Sequence, residues 1–213
     1  MSSRTLAALA AALLAVAAYP RETAPRTATS PAAAPSPSAA AGVEAVVETA
    51  EGSFVIRLLP DLAPAHVKHF VATAKKGSYD GTVFHRIIPG GIIQGGDPTS
   101  KDPAKASQYG KGGLGLLKAE FSDRPFTRGV VAAARRPSSV DSGGSQFFVC
   151  LTDQPALKGQ YTIFGEVVSG MDVVDRLGQS PVEGDRPTSR VEIRTVTIRA
   201  ASAPEASPSP AAQ

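Results

Sequence analysis

The chain has a single cysteine, Cys150, among 213 residues, so no intramolecular disulfide can form and the fold must hold by packing. Cys150 lies in an apolar run, where it reads as a small buried hydrophobe rather than a reactive thiol. Histidine is scarce too, with three in all. His66 and His69 stand three apart, a spacing that can hold a metal, but no carboxylate or cysteine cluster accompanies them, and solvated or capping roles are expected. Excess charge of one sign is missing: Val43 to Arg199 carries 19 Lys/Arg against 17 Asp/Glu, without runs. That balance is too weak for a surface that tracks phosphates, so no nucleic acid partner is expected. The apolar run Leu6 to Ala18 is too short to span a membrane comfortably. No Gly-Lys-Ser/Thr follows Gly112-Gly113, which removes a phosphate cradle from consideration. Neither a metal nor any other cofactor is implied.

What is present divides the chain by composition. Arg4 followed by the apolar run, with Ala15-Val16-Ala17 as a small-x-small cleavage site, predicts a secretory signal peptide over residues 1–18. A periplasmic or secreted location follows from it; a cytoplasmic protein with an alanine-rich leader is the alternative. Residues 19–42 hold Pro20, Pro25, Pro31, Pro35 and Pro37 among Ala, Ser and Thr, and residues 200–213 repeat that composition. Such segments cannot bury enough apolar surface to offset the entropy of ordering them, so a disordered linker and tail are predicted. Between them, residues 43–199 have the mixed content of one globular domain.

Within that domain, alternation over Val43–Thr49 and Ser53–Leu59 predicts a hairpin with one buried face. Asp61-Leu62-Ala63-Pro64 predicts a helix start, with an apolar stripe at Val67, Phe70, Val71 and Ala74 and a stop at Lys75-Lys76-Gly77. Further strands are predicted over 82–88, 92–94, 130–134, 146–151, 162–168 and 191–199, and a short amphipathic helix over 171–177. Residues 97–115 read as loop because Pro98, Pro103 and four glycines interrupt them. The residues alone support a β-rich barrel or sandwich.

Two stretches carry the chemistry. Phe84-His85-Arg86-Ile87-Ile88-Pro89-Gly90 runs on into Gln94-Gly95-Gly96-Asp97, placing an arginine and a glutamine among bulky apolar groups. Buried without partners, such groups would cost roughly 1–3 kcal/mol each, so something is read or held there. Gly143-Gly144-Ser145-Gln146-Phe147-Phe148-Val149-Cys150 repeats the combination of glycine turn, glutamine and aromatics. These stretches, with Gly129 through Arg135 and Phe164-Gly165, resemble the cyclophilin family of peptidyl-prolyl isomerases in the family's own order, over nearly all of Val43 to Arg199.

The resemblance implies a mainly β fold, a closed eight-stranded antiparallel barrel capped by two α-helices. It implies an enzyme that speeds cis/trans rotation about Xaa-Pro bonds of unfolded or partly folded polypeptides, as a monomer and with no cofactor. Arg86 matches the catalytic arginine, and Gln94 the glutamine that orients it. Phe148 matches the floor of the proline pocket, with Ile92 and Leu157 as apolar walls and Phe84, Gln146 and Tyr161 as further lining residues. Ala134 and Arg135 match the segment whose main chain holds the residue before the proline, leaving the Arg135 side chain incidental. His85 is read as structural, because alternation turns it away from the face of Arg86.

Departures from the family pattern are equally specific. Gly91 replaces a phenylalanine common in the proline pocket, and Ala156 stands where many members carry a tryptophan linked to cyclosporin binding. Tyr161 stands where many carry a histidine. Weak cyclosporin inhibition is expected. A proline-peptide binding module or chaperone on the same scaffold, with catalysis weakened by Gly91, is the competing reading.

Overall fold

Alternating apolar residues at Ala45 and Val47 and at Phe54 and Ile56, with Ile193 and Val196 brought into line by a register shift, bury one face of three long strands, and a curled antiparallel sheet grows from that face. A computed structural model describes residues 42–201. The signal peptide read over 1–18, the linker save Gly42 and the tail beyond Ala201 lie outside the described residues.

The strands are β1 (Val43–Thr49), β2 (Gly52–Leu58), β3 (Thr82–Val83), β4 (Arg86–Ile88), β5 (Ile92–Gly95), β6 (Val130–Ala133), β7 (Phe147–Cys150) and β8 (Ile163–Ser169). They are followed by β9 (Val182–Glu183), β10 (Arg186–Pro187) and β11 (Glu192–Ala200). Two helices accompany them, α1 (Pro64–Lys75) between β2 and β3 and α2 (Met171–Gly178) between β8 and β9. The main sheet has nine strands in the order β3-β11-β1-β2-β8-β6-β7-β5-β4, and β9 and β10 form a separate small hairpin. Its two outermost strands, β3 and β4, are consecutive pieces of the run 82–88, so the ladder begins and ends on one segment. The expected single strand is broken at Phe84-His85, where the N–H of Phe84 donates to Val191 and that of His85 to Gln94. There the chain leaves β11 for β5. Ala200, assigned to the tail by composition, pairs with Val43 and belongs to the sheet.

Inside the curl, Phe54, Phe70, Tyr79, Phe84, Phe147 and Phe164 form one aromatic core, with the Phe70 ring 5.0 Å from Tyr79 and 5.2 Å from Phe164. A second cluster lies on the other face of the sheet: Ile92, Val130, Ala132, Phe148, Cys150 and Ile163, with Phe126 added from the stretch before β6. Cys150 is fully buried there, and burial pushes its thiol pKa up to about 12, so it is inert as expected.

Helix α1 has proline at its first turn and no side-chain cap of its own. Glu120, 54 residues from His66, supplies one by accepting from the N–H groups of Ala65 (3.1 Å) and His66 (3.0 Å). The same carboxylate meets the His66 ring at 2.6 Å, so His66 is buried and paired rather than solvated. Among the described residues there is no group of three or more candidate metal ligands, and no helix is long and apolar enough to cross a membrane.

Candidate active site

Strand register builds the site. Arg86 on β4 pairs with Gln94 on β5, Gln94 with Phe148 on β7, and Phe148 with Ala132 on β6. Residues opposite one another in a pleated sheet point to the same face, so these four side chains form one row outside the aromatic core. Ile87, Ile93 and Val149, one residue along each strand, point inward and are fully buried. The alternation that fills the core therefore also exports the arginine.

The row opens onto a cavity of about 690 Å³. Arg86, Ile92, Gln94, Ala134, Arg135, Phe148, Leu157 and Tyr161 all line it, which brings together eight of the ten residues singled out from the sequence. Phe148 is its floor. Phe126 stacks against that ring at 6.4 Å and 18°, and Tyr161 meets it edge-on at 5.3 Å and 88°. The Arg135 guanidinium lies 4.8 Å over the Tyr161 ring and its Nε donates to the Gln160 carbonyl at 2.8 Å. Its side chain therefore roofs the aromatic wall and is not incidental.

Gln146 lines an adjoining cavity and ties the polar wall together. Its Oε1 accepts from Gln94 Nε2 at 3.1 Å, and its own Nε2 donates to the carbonyls of Gly110 (3.2 Å) and Gly112. The glycine loop is fixed from below by Asp97, fully buried, which accepts from the N–H groups of Thr99 (2.8 Å), Gly110 (2.6 Å) and Gly112 (3.1 Å). Glycine is required there: Gly110 has φ +84°, and a Cβ on Gly112 would stand 2.1 Å from an Asp97 oxygen.

Two assignments need correction. Phe84 is not a lining residue; it is 1% exposed in the aromatic core, 6.2 Å from Phe147 and edge-on to it. Strict alternation would set Phe84 beside Arg86, but the strand break between them reverses the faces. For the same reason His85 lines the cavity instead of turning away from it. Both of its ring nitrogens are buried and without partners among the described residues, and that burial lowers its pKa, leaving it a neutral wall.

Gln94 does not hold Arg86 by a hydrogen bond, because its amide is turned to Gln146. Asp185 holds the arginine instead: Arg86 Nε donates to its Oδ2 at 2.7 Å, across 99 residues of sequence. The β9–β10 hairpin that carries Asp185 is docked on β4 by the Ile87 N–H, which donates to the Asp185 carbonyl at 2.8 Å. Arg86 in turn holds the Asp185 carboxyl below the usual carboxylate range. Ile88 and Phe126 are the other contributors that the sequence did not disclose. The Ile88 γ2 methyl stands 3.0 Å from where a Cβ on Gly91 would be, so an apolar group crowds the side left open by the missing phenylalanine.

A family model described as "Cyclophilin type peptidyl-prolyl cis-trans isomerase/CLD" matches residues 45–198. The chain belongs to the cyclophilin-type peptidyl-prolyl cis-trans isomerases. It is 43% identical over 137 residues to a "Probable peptidyl-prolyl cis-trans isomerase" of Brucella suis, covering 62% of this chain and 69% of that one. A peptidyl-prolyl cis-trans isomerase-like 1 of Neurospora crassa is 39% identical over 157 residues, covering 70% and 90%. Among solved structures, a cyclophilin of Cryptosporidium parvum superposes with a TM-score of 0.68 at 29% identity, covering 74% of this chain and 98% of that one. The same parvum cyclophilin in the presence of the dipeptide Ala-Pro gives a TM-score of 0.66 at 30% identity. The activity class of this cyclophilin is thus prolyl isomerisation, and its nine-stranded sheet with two helices is the family's fold. Counting β3 and β4 as the one run they share recovers the eight strands implied by the resemblance.

Proposed function

We propose that the protein catalyses rotation about Xaa-Pro bonds in unfolded or partly folded polypeptides with Arg86 as the catalytic residue and Phe148 as the seat of the proline ring. The observation that carries this is the single row of Arg86, Gln94 and Phe148 opening onto one cavity. The barrier to rotation, about 18–20 kcal/mol, comes from overlap of the prolyl nitrogen lone pair with the carbonyl. Weakening that overlap needs neither a nucleophile nor proton transfer.

Phe148, Ile92 and Leu157 hold the pyrrolidine ring while Tyr161 and Arg135 close the wall beside it. Arg86 presents a fixed cation at the cavity edge. With Nε committed to Asp185, its two terminal nitrogens have no partner among the described residues and can donate to the prolyl nitrogen as it becomes pyramidal. Planar nitrogen offers no comparable acceptor, so the interaction strengthens in the twisted state, as catalysis requires. Ala134 and Arg135 offer main-chain groups to the residue before the proline. The test is isomerisation of an Ala-Pro peptide by the full-length protein, followed by exchange spectroscopy. Acceleration over the spontaneous rate supports the reading; binding without acceleration would leave a proline-peptide binding module.

We propose further that the protein is exported, on the strength of Arg4, the apolar run Leu6 to Ala18 and the Ala15-Val16-Ala17 site. Its intact mass after expression in a bacterial host decides the point. A periplasmic product shortened by the leader agrees with export, and a full-length cytoplasmic product contradicts it.

A further inference from the structure

Beside the proline cavity lies a second one of about 360 Å³, and Gln94, Ala134 and Arg135 edge both. Its walls carry three cations, Lys111, Arg135 and Arg136, and no carboxylate. Lys111 and Arg136 are exposed, and neither side chain has an ion-pair or hydrogen-bond partner among the described residues. Arg135 donates to two backbone carbonyls, those of Gln160 and Arg136, which orient its guanidinium without neutralising it. The acids closest in sequence to these walls, Asp97 beneath the glycine loop and Asp141 beside Ser142, accept backbone N–H groups, those of Thr99, Gly110 and Gly112 and that of Ala119 at 2.8 Å, and neither is paired with a cation of the wall among the described residues. Much of the remaining wall is glycine, Gly112, Gly113, Gly115 and Gly144 among them, which leaves room for an incoming side chain. A roomy hollow lined by three cations that are in no ion pair among the described residues attracts an anion.

We infer that this cavity selects substrates carrying an acidic side chain, Glu or Asp, two positions before the proline. The inference rests on the isomerase reading and on Ala134-Arg135 holding the residue between. In an extended chain, residues two apart point to the same side. With the proline ring seated over Phe148 and the next residue toward the N-terminus bonded along Ala134-Arg135, the side chain before that one faces the basic cavity. Each solvent-exposed ion pair contributes up to a few-fold, so three cations set a preference for Glu over Lys of roughly tenfold in kcat/KM at low salt. Screening shortens to about 10 Å at roughly 0.1 M salt and about 3 Å at roughly 1 M, so the preference shrinks as salt is added.

The test uses the full-length protein and acetyl-capped peptides that differ only in Glu, Gln or Lys two positions before an Ala-Pro bond. Both kcat/KM by exchange spectroscopy and affinity by chemical-shift titration are read. The expected order is Glu, then Gln, then Lys, with the Glu/Lys ratio falling toward one at high salt and inverting in Arg136→Glu/Lys111→Glu. Equal rates for all three peptides, or a ratio unmoved by salt and by the charge reversal, would overturn the inference while leaving the isomerase reading intact. Absence of turnover for every peptide would instead sink the isomerase reading, and the titration would still decide between a Glu-selective and an indifferent cavity.

Discussion

Asp185→Ala removes the partner of the Arg86 Nε, held at 2.7 Å, and the structure says what that should cost. The two side chains are 42% and 56% exposed, so solvent screens the pair and its contribution to stability is at most about 1 kcal/mol. A domain of this size would lose only about 2–4 °C in Tm. Catalysis should suffer more. Freed of its anchor, a half-exposed arginine spreads over several staggered rotamers, and the productive fraction falls roughly three- to tenfold. The loss should appear in kcat with KM little changed, because the proline ring still has its Phe148 floor. Asp185→Asn keeps an acceptor oxygen and should recover part of the rate. The pH dependence has a definite sign. Arg86 depresses the Asp185 pKa, so the pair is intact above the usual carboxylate range and is lost as pH falls through that depressed value. Wild-type kcat should therefore stay level through mild acid and fall below it, whereas Asp185→Asn should show no such fall. The assay is exchange spectroscopy on an Ala-Pro peptide with thermal melts alongside. A kcat in Asp185→Ala equal to or above that of the wild type would refute the positioning argument.

Other perturbations follow from the same geometry. Asp97→Ala strands the N–H groups of Thr99, Gly110 and Gly112, at roughly 1–3 kcal/mol each if they stay dry, so calorimetry should show a large fall in Tm and the glycine loop should lose its protection from hydrogen exchange. At Glu120, burial raises the carboxyl pKa, but the hydrogen bonds from His66 and the α1 N-terminus outweigh it and the net shift is downward. Its contribution to stability is present above the ordinary carboxylate pKa and lost as pH falls through the lowered one; Glu120→Gln should cost about 1 kcal/mol near neutrality and flatten the acid limb of the melting curve. Cyclosporin should inhibit weakly, because Ala156 is an exposed methyl where many relatives place an indole, and nanomolar inhibition in the peptide assay would contradict this.

The sequence disclosed the fold wherever one face of a strand is buried. Period-two alternation located β1, β2 and β11 to within a residue, since a slip would turn the whole apolar set outward. It failed at Phe84-His85, because alternation assumes a continuous strand and this one changes partners midway. Phe84 went into the core and His85 to the cavity for that one reason. The apolar floor and the arginine were legible because they share motifs with a known family. Asp185 was not, since its pairing spans 99 residues and nothing in its own surroundings, Glu183-Gly184-Asp185-Arg186, points to Arg86. Phe126 escaped because it lies between strands, in a stretch with no periodicity, and only the fold brings it beneath Phe148.

The central claim is that a positioned cation beside an apolar hollow lowers the barrier to prolyl rotation. The most direct measurement is kcat/KM for an Ala-Pro peptide in the wild type and in Arg86→Ala, with peptide affinity measured in parallel. The account predicts a loss on the order of a hundredfold or more in rate, with binding largely retained. An Arg86→Ala protein that isomerises as fast as the wild type would contradict it.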